Sequence, residues 1–481
     1  MADALAAELE ARCDGFKASF GGEELKRACA TLSGALIGGA LQPPLAALAE
    51  DADLHVRELA FAARQYAVAT AEQPGDFEGL YNHGLVLQEL SGKLPPGSAE
   101  QAAMLRTACA RYEAALALRP AAHAALYNWG VALSDLARAV KAGSPAEATA
   151  ALHLASQKYA RSLQLHPRNP QALNNWGLVL QELSSDARSW GERDALVRGA
   201  MDKFRLALRG RPDFDRGTYN LGTVFYTFAM ALQGAAGARR SHGAGGAGAA
   251  GARPAAPADA PPPPRRLAAS PPPPDAPPSR GAREHAVRGL LAGAAQYIAL
   301  AHALAPARDI YRKSLSVVRA MLPLPFLRAG HLSAPRARSI GTVTETWRRD
   351  WFVLDQHSLR QASSMETSLS TAGAGVPSAS QQRAGGGGGG GGDDEPLVLP
   401  LRELLAVRRC AEPSLPEGGG IWVSTAASPA GTYLVADDGD AADAWVDALV
   451  LCAHLVAAGA ADALEEALAP VRRGKHAAPL G

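Results

Sequence analysis

Four of the six asparagines in this chain occupy one repeated position, two residues before a glycine. They are Asn82, Asn128, Asn175 and Asn220. A primary amide offers N–H donors and a carbonyl acceptor, so a row of amides lining a concave surface can hold the backbone of an extended peptide. The same groups can instead bond the backbone of a neighbouring helix. The pattern predicts either a peptide-binding ladder or a set of structural bonds.

A second candidate surface is basic and lies further along the chain. Residues 308–349 hold nine arginines and lysines against Asp309 and Glu345. Such a stretch can attract an anionic membrane, at about 1 kcal/mol per basic residue near the surface. The predicted membrane- or anion-facing side chains are Arg336, Arg338, Arg348 and Arg349. The alternative is an ordinary solvated face on a helix and linker.

No pattern for enzymatic chemistry is found in the sequence. It contains no GxxxxGK[ST], GxSxG or HExxH motif and no dinucleotide-binding glycine fingerprint after a strand. The run Gly385–Gly392 is low-complexity sequence rather than a phosphate-binding loop. The five cysteines lack metal-ligand spacing and are expected to be reduced thiols. We therefore expect no catalytic residue, no metal and no cofactor.

The asparagines belong to a longer repeat. A glycine follows a proline by ten residues four times, at Pro74/Gly84, Pro120/Gly130, Pro167/Gly177 and Pro212/Gly222. Before each proline come a small residue, an aromatic four residues later and another small residue three further on, as in Ala108, Tyr112 and Ala115. These offsets place the three side chains on one helical face, and the proline ends the helix. The repeat predicts stacked helical hairpins.

This repeat resembles the tetratricopeptide repeat over roughly residues 55–232. The resemblance implies an α-solenoid whose concave surface binds partner proteins, and asparagine at this position belongs to the family consensus. Successive prolines are 46, 47 and 45 residues apart instead of about 34, so longer helices and turns are expected. Family members that bind chaperone C-termini carry an asparagine directly after the glycine. This chain has Leu85, Val131, Leu178 and Thr223 there.

The segments around the repeats complete the predicted solenoid. Residues 1–50 are expected to form a helical N-terminal cap, and residues 51–233 the solenoid itself. The Pro-, Gly- and Ala-rich stretch 234–282 cannot bury a core, so we predict a disordered linker inserted in the last repeat. Residues 283–330 then supply the final solenoid helices, because Tyr297 keeps the aromatic spacing.

From residue 339 the pattern changes to short strands, followed by a helix. Trp347–Asp355 and the tryptophan of the last helix, Trp445, resemble a pleckstrin-homology (PH) domain over residues 339–457. The resemblance implies a small β-barrel capped by a C-terminal helix. A disordered Ser/Gly loop is expected at 361–394 and a tail at 458–481.

The same resemblance bears on lipid binding. Lipid-binding members of the PH family carry an arginine where this chain has Asp350. A carboxylate there would repel a phosphate, so we expect a protein-binding or nonspecific membrane role for this domain. The predicted fold class is mainly α, a tetratricopeptide solenoid followed by a PH-like barrel.

The composition and the N-terminal sequence limit the partners and the cellular location that can be expected. The formal net charge of +1 is too small for the chain as a whole to attract nucleic acid electrostatically. Met1–Glu10 carries three acidic residues and no apolar run, so neither a signal nor a transit peptide is expected. Gly289–Ala305, the most apolar segment, is short for a membrane span. We expect a cytoplasmic protein.

The combination of domains resembles a plant and algal family of tetratricopeptide proteins named for latrunculin hypersensitivity. That resemblance implies a peripheral protein of the trans-Golgi network and early endosome that connects vesicle traffic to actin, with ARF-exchange or actin partners. We predict a non-enzymatic scaffold that binds proteins, with peripheral contact to an anionic membrane and without nucleic-acid or small-molecule ligands. The alternative is a soluble co-chaperone or assembly factor that uses only the solenoid.

Overall fold

The structure is a computed structural model, and it describes residues 54–243, 280–335, 347–362 and 396–469. The chain divides into two compact units, Met1–Gly210 (unit 1) and Arg211–Gly481 (unit 2). The predicted N-terminal cap and most of the predicted linker, Ser/Gly loop and tail lie outside the described residues.

The described part of unit 1 is a series of helices. They are α1 (Leu54–Glu72), α2 (Phe77–Ser91), α3 (Ala99–Leu118), α4 (His123–Val140), α5 (Pro145–Leu165), α6 (Pro170–Ser185) and α7 (Trp190–Gly210). Helices α2–α3, α4–α5 and α6–α7 pack as hairpins. The α1, α3, α5 and α7 helices each end two residues before a repeat proline, because the residue preceding proline is disfavoured in the α conformation. The prediction of a helical solenoid of tetratricopeptide type is confirmed.

The repeat glycines allow each hairpin to close. In each hairpin that the structure describes in unit 1, the glycine of the first helix lies against the aromatic ring of the second. A Cβ added to the glycine would lie 2.8, 2.7 and 2.7 Å from a ring carbon in the pairs Gly84–Tyr112, Gly130–Tyr159 and Gly177–Phe204. The three rings are fully buried. The repeat glycine and the repeat aromatic therefore make the same contact three times.

Local signals set where the helices begin. The Asp76 carboxylate accepts hydrogen bonds from the N–H groups of Glu78 and Gly79 at the start of α2, and Ser98 and Asn169 cap α3 and α6 in the same way. The surplus length of the repeat lies partly in the helices, since α5 and α7 each have 21 residues.

Unit 2 begins with three more helices, α8 (Asp215–Gly243), α9 (Arg280–Leu304) and α10 (Asp309–Met321). Helices α8 and α9 pack as a hairpin across the intervening sequence, with the Phe225 and Tyr297 rings stacked at 5.4 Å. The predicted linker began at residue 234, but α8 continues through Gly243. Alanine and arginine are good helix formers, which accounts for the longer helix.

A seven-stranded antiparallel sheet follows. Its strands are β1 (Arg328–Pro335), β2 (Trp347–Leu354), β3 (Ser358–Ala362), β4 (Val398–Pro400), β5 (Leu404–Cys410), β6 (Gly419–Thr425) and β7 (Thr432–Ala436), in the order β4-β3-β2-β1-β7-β6-β5. Two helices end the described chain, α11 (Gly439–Ala457) and α12 (Ala461–Leu468). The prediction of a small strand-rich domain with a C-terminal helix is confirmed.

Two details of that prediction are wrong. The sheet is not a closed barrel, because among the described residues no ladder joins β4 to β5; a short 3-10 helix, Leu401–Glu403, turns the chain between them. The domain also starts earlier than residue 339, since β1 pairs with β2 along its whole length from Arg328 to Pro335. The sequence of β1, RAGHLSAP, contains few β-branched or aromatic residues, which hid the strand.

Helix α11 holds the sheet and the last solenoid helices together. Trp445 is buried beside β1, with the Arg328 guanidinium 4.9 Å from its ring centroid. On the other side of α11, the Tyr297 hydroxyl donates to Asp447 Oδ2 at 2.9 Å, and Gln296 Nε2 donates to the Ala444 carbonyl at 3.3 Å. These buried bonds make α9 and the sheet domain parts of one compact unit.

Candidate functional site

The candidate site is the face of the first helices of the unit 1 hairpins that carries the asparagines. Asn128 Nδ2 donates to the Tyr81 hydroxyl at 2.7 Å, and Asn175 Nδ2 donates to the Tyr127 hydroxyl at 3.3 Å. Each tyrosine belongs to the preceding hairpin and stands one residue before its asparagine position. These bonds tie successive first helices together, so part of each amide has a structural role.

The remaining asparagines differ in their surroundings. The side chain of Asn82 makes no hydrogen bond within the described ranges, and it is half-exposed. Asn220 is half-exposed on α8 and belongs to unit 2. In that unit the equivalent tie joins the Tyr219 and Ser314 hydroxyls at 2.9 Å, between α8 and α10. The structure therefore places three of the four asparagines in unit 1, and peptide binding by them stays a prediction.

An aliphatic row runs beside these ties. It consists of the residues that follow the repeat glycines of unit 1, namely Leu85, Val131 and Leu178. Each stands three residues after an asparagine, and side chains three apart share a helix face. Leu85 and Val131 are half-exposed, and Leu178 is 40% exposed. Sequence reasoning used these positions only to exclude a chaperone clamp, although their shared aliphatic character was visible.

Acidic side chains one turn further along the same helices have partners inside unit 1. Asp135 accepts hydrogen bonds from Gln88 Nε2 at 3.4 Å and from Arg138. Burial raises the pKa of Asp135 above its usual range, while Arg138 and Gln88 act in the opposite direction. Glu182 lies 3.5 Å from Lys141 Nζ. These charges are occupied by internal bonds, which leaves apolar contact and hydrogen bonding as the main chemistry of this face.

The residues directly before the repeat glycines are core residues, as predicted. Trp129 and Trp176 are 4% and 2% exposed. Sequence reasoning missed the cations above them: Lys158 Nζ lies 3.7 Å from the Trp129 ring centroid, and Lys203 Nζ lies 4.4 Å from that of Trp176. A basic residue before each hairpin aromatic was the available signal. These cation–π contacts join the two helices of a hairpin.

His83 occupies the tryptophan position in the first hairpin, and it gives unit 1 a pH-dependent stability. Burial, and secondarily the charge of Arg111, lowers the pKa of His83 from 6.5 to about 4. Below pH 6.5 His83 binds a proton in the unfolded chain, whereas in the folded chain it stays neutral down to about pH 4. Stability is therefore complete above pH 6.5 and falls as the pH drops towards 4, by at most about 1.4 kcal/mol per pH unit from this group.

Replacing His83 by phenylalanine should remove this component. Urea unfolding at several pH values between 7 and 4 would measure it, with His83→Phe compared to the unmodified chain. We expect the slope of unfolding free energy against pH to decrease by about one bound proton in the variant. Equal slopes for the two proteins would show that His83 takes up its proton in the folded state at the same pH as in the unfolded chain.

The predicted membrane-facing residues are divided between described and undescribed parts of the chain. Arg336 and Arg338 lie outside the described residues. Arg348 Nε donates to Asp350 Oδ1 at 2.7 Å, and Arg349 makes two bonds to the Asp437 carboxylate at 2.8 and 2.9 Å. The Arg349 contact lowers the pKa of Asp437 below its usual range. Both described guanidinium groups thus have carboxylate partners, and membrane contact stays a prediction.

The described ranges contain no helix long and apolar enough to cross a membrane. They also contain no group of three or more histidine, cysteine, aspartate or glutamate side chains arranged to hold a metal ion.

Comparison with known proteins finds a similarity to one family model over part of the chain. Residues 57–172 match the model of the plant specific mitochondrial import receptor subunit TOM20. The matched part runs from α1 into the start of α6, all within unit 1. No curated protein matches the chain. The match agrees with tetratricopeptide-type helical repeats in unit 1 and with a role of these repeats in protein–protein interaction.

Proposed function

We propose that this chain is a non-enzymatic scaffold whose unit 1 binds an extended segment of a partner protein along the aliphatic row Leu85, Val131 and Leu178. The observation that carries the proposal is the exposure of this row on three successive hairpins that are otherwise tightly packed. Apolar side chains of a bound segment would contact the row, and the segment's backbone would bond to amide and hydroxyl groups beside it.

The arrangement supports recognition of backbone more than of a particular sequence. The Asn128 and Asn175 amides donate to tyrosine hydroxyls, and the Asn175 carbonyl oxygen also accepts from Asn174 Nδ2 at 3.2 Å. The Asn128 carbonyl oxygen is therefore the group best suited to a ligand N–H. Asn82 offers a whole amide. Because the nearby acids have internal partners, a bound segment needs no strong charge of either sign.

For the cellular setting we propose vesicle traffic linked to actin at the trans-Golgi network and early endosome. The support is the order of the two domains, a tetratricopeptide solenoid followed by a PH-like sheet, together with the resemblance that this order carries. A second candidate, a receptor in mitochondrial import, is favoured by the family match over residues 57–172. Imaging the fluorescently tagged chain with markers for both compartments separates them, and signal confined to mitochondria would contradict the first setting.

Leu178→Asp should strongly reduce capture of partner proteins by the full chain. A carboxylate in the middle of an apolar contact must lose water without gaining a partner, which costs several kcal/mol, so we expect at least a tenfold loss (about 1.4 kcal/mol) in recovered partners. Quantitative pull-down with mass spectrometry is the measurement. Leu118→Asp is the matched control, because Leu118 is 44% exposed at the end of α3 and outside the row.

Comparing the two variants distinguishes a loss of the binding surface from a loss of folding stability. Both change an exposed leucine to aspartate, so both should leave the helical content and melting temperature nearly unchanged. Equal recovery of partners by Leu178→Asp and the unmodified chain would reject the aliphatic row as the binding surface. Asn82→Ala tests the amide separately: unchanged recovery would show that the Asn82 amide does not contribute to partner binding.

A further inference from the structure

Helix α10 in unit 2 exposes an apolar stripe that the proposed function does not use. Ile310, Val317 and Met321 are 55%, 50% and 42% exposed. At the 100° rotation of an α-helix they fall within an arc of about 40°. They make up three of the nine large hydrophobic side chains that are exposed in the described part of the chain, on a helix of 13 residues.

The stripe is separate from the apolar side of α10 that stabilises the fold. Tyr311, Leu315 and Val318 are buried, and the Tyr311 ring stacks on Tyr219 of α8 at 4.5 Å. These residues already anchor the helix. The α10 stripe is therefore additional apolar surface, and its exposure costs solubility unless something covers it.

The charges next to the stripe are positive. Every acidic residue at the start of α8 and α10 is already paired: Asp215 with Arg308 at 2.9 Å, and Asp309 with Arg312 at 2.7 Å. Lys313 and Arg216 are exposed and form no ion pair with any residue that the structure describes. Lys313 stands one turn from both Ile310 and Val317. The positive charge of Arg216 acts to lower the pKa of Tyr311, the residue after Ile310. The unpaired charge beside the stripe is thus cationic.

We propose that the α10 stripe docks an acidic amphipathic segment of a partner protein. Its aliphatic side chains would cover Ile310, Val317 and Met321, and its carboxylates would pair with Lys313 and Arg216. The site is a second docking surface, in a different unit from the aliphatic row. Protein is favoured over an anionic membrane because interfacial helices carry bulky Trp, Phe or Leu anchors, and two cations supply only about 2 kcal/mol of membrane attraction.

The test uses the full chain and two synthetic peptides. Both have leucine every three or four residues; one carries glutamate at the other positions, and its twin carries lysine. Binding of the fluorescein-labelled peptides is measured by anisotropy. We expect saturable binding of the acidic peptide, at least about tenfold weaker binding of the lysine twin, and a similar loss in Ile310→Ser/Val317→Ser/Met321→Ser. Lys313→Glu and Arg216→Glu should each weaken binding of the acidic peptide.

Controls separate this surface from other exposed apolar residues. Val398→Ser/Leu405→Ser removes two side chains of the sheet that are 47% and 64% exposed, and it should leave the affinity unchanged. Equal binding of both peptides, or binding that survives the triple serine variant, would overturn the proposal. If Leu178→Asp weakened binding of the acidic peptide and the triple serine variant did not, the peptide would bind to the aliphatic row. If neither peptide bound, and the chain sedimented with phosphatidylserine vesicles unless Ile310, Val317 and Met321 were replaced by serine, the stripe would be a membrane-binding surface instead.

Discussion

Gly130→Ala is expected to destabilise the α4–α5 hairpin by about 1–3 kcal/mol, even though alanine favours helix over glycine. The added Cβ would lie 2.7 Å from Cε1 of the Tyr159 ring, well inside van der Waals contact. Tyr159 is fully buried, so the ring cannot move without opening the hairpin or displacing its neighbours. Hydrogen exchange of peptides covering α4 and α5 in the full chain measures the loss of protection.

The same substitution at another helical glycine should have the opposite sign. Gly289 lies within α9, and a Cβ added there would meet no atom within 4 Å. Gly289→Ala should therefore stabilise α9 by about 0.5–1 kcal/mol, through the reduced entropy of the unfolded chain. If Gly130→Ala raised protection as Gly289→Ala does, the close approach of glycine and ring would not be what holds the hairpins together.

The contact between Gly130 and Tyr159 also explains why so much of the solenoid could be predicted from the sequence. This contact recurs between the same two repeat positions in three hairpins, so both residue types recur in the sequence. The proline that ends each second helix recurs as well. A pattern made by contacts within a repeat survives as periodicity, and periodicity is visible without coordinates.

The hydrogen bonds between neighbouring hairpins were harder to predict from the sequence. Asn128 bonds to Tyr81, which is 47 residues earlier in the chain. The asparagine was conspicuous because of its rarity, but its partner depends on how one hairpin stacks on the next. Tyrosine recurs at Tyr81, Tyr127 and Tyr219, and that recurrence was the available clue. The sequence left two interpretations of the amides open, and the structure assigns the donor groups of two of them.

The sheet domain shows where local pattern fails. The aromatic strand β2 and the tryptophan of α11 were predicted because their composition is distinctive. The β1 strand was missed because its partner β2, rather than its own composition, holds it in place. The joining of the sheet domain to the last solenoid helices was also invisible, since the Tyr297–Asp447 bond spans 150 residues. Contacts of this kind follow from tertiary packing alone.

Arg319 makes the most concentrated set of such contacts, and replacing it should have a large effect. Its guanidinium donates to the carbonyl oxygens of Leu468 and Leu324 at 2.6 and 2.9 Å, and also to those of Ala467 and Ala469. The side chain is buried. One cation on α10 thus satisfies the carbonyl groups that end α12, where an intrahelical donor is unavailable.

Arg319→Met keeps most of the aliphatic stem and removes all of these donors. Bonds from a charged donor contribute about 1.5–3 kcal/mol, and carbonyls left buried without a partner add to the loss. We expect a destabilisation of about 3 kcal/mol, concentrated at α12 and measured by hydrogen exchange of peptides from residues 461–468. Because the bonds are local, protection of α4 and α5 in unit 1 should not change.

Arg312→Met on the same helix is the matched control. Arg312 is exposed and, among the residues that the structure describes, pairs only with Asp309 one turn away. Such surface pairs contribute about 0–1 kcal/mol. The two variants remove the same charge from α10, so a general effect of charge would appear in both. A loss of α12 protection confined to Arg319→Met would show that the helix is held by its carbonyl groups. Equally small effects of the two variants would mean that apolar burial of Leu464 and Leu468 is enough to dock α12.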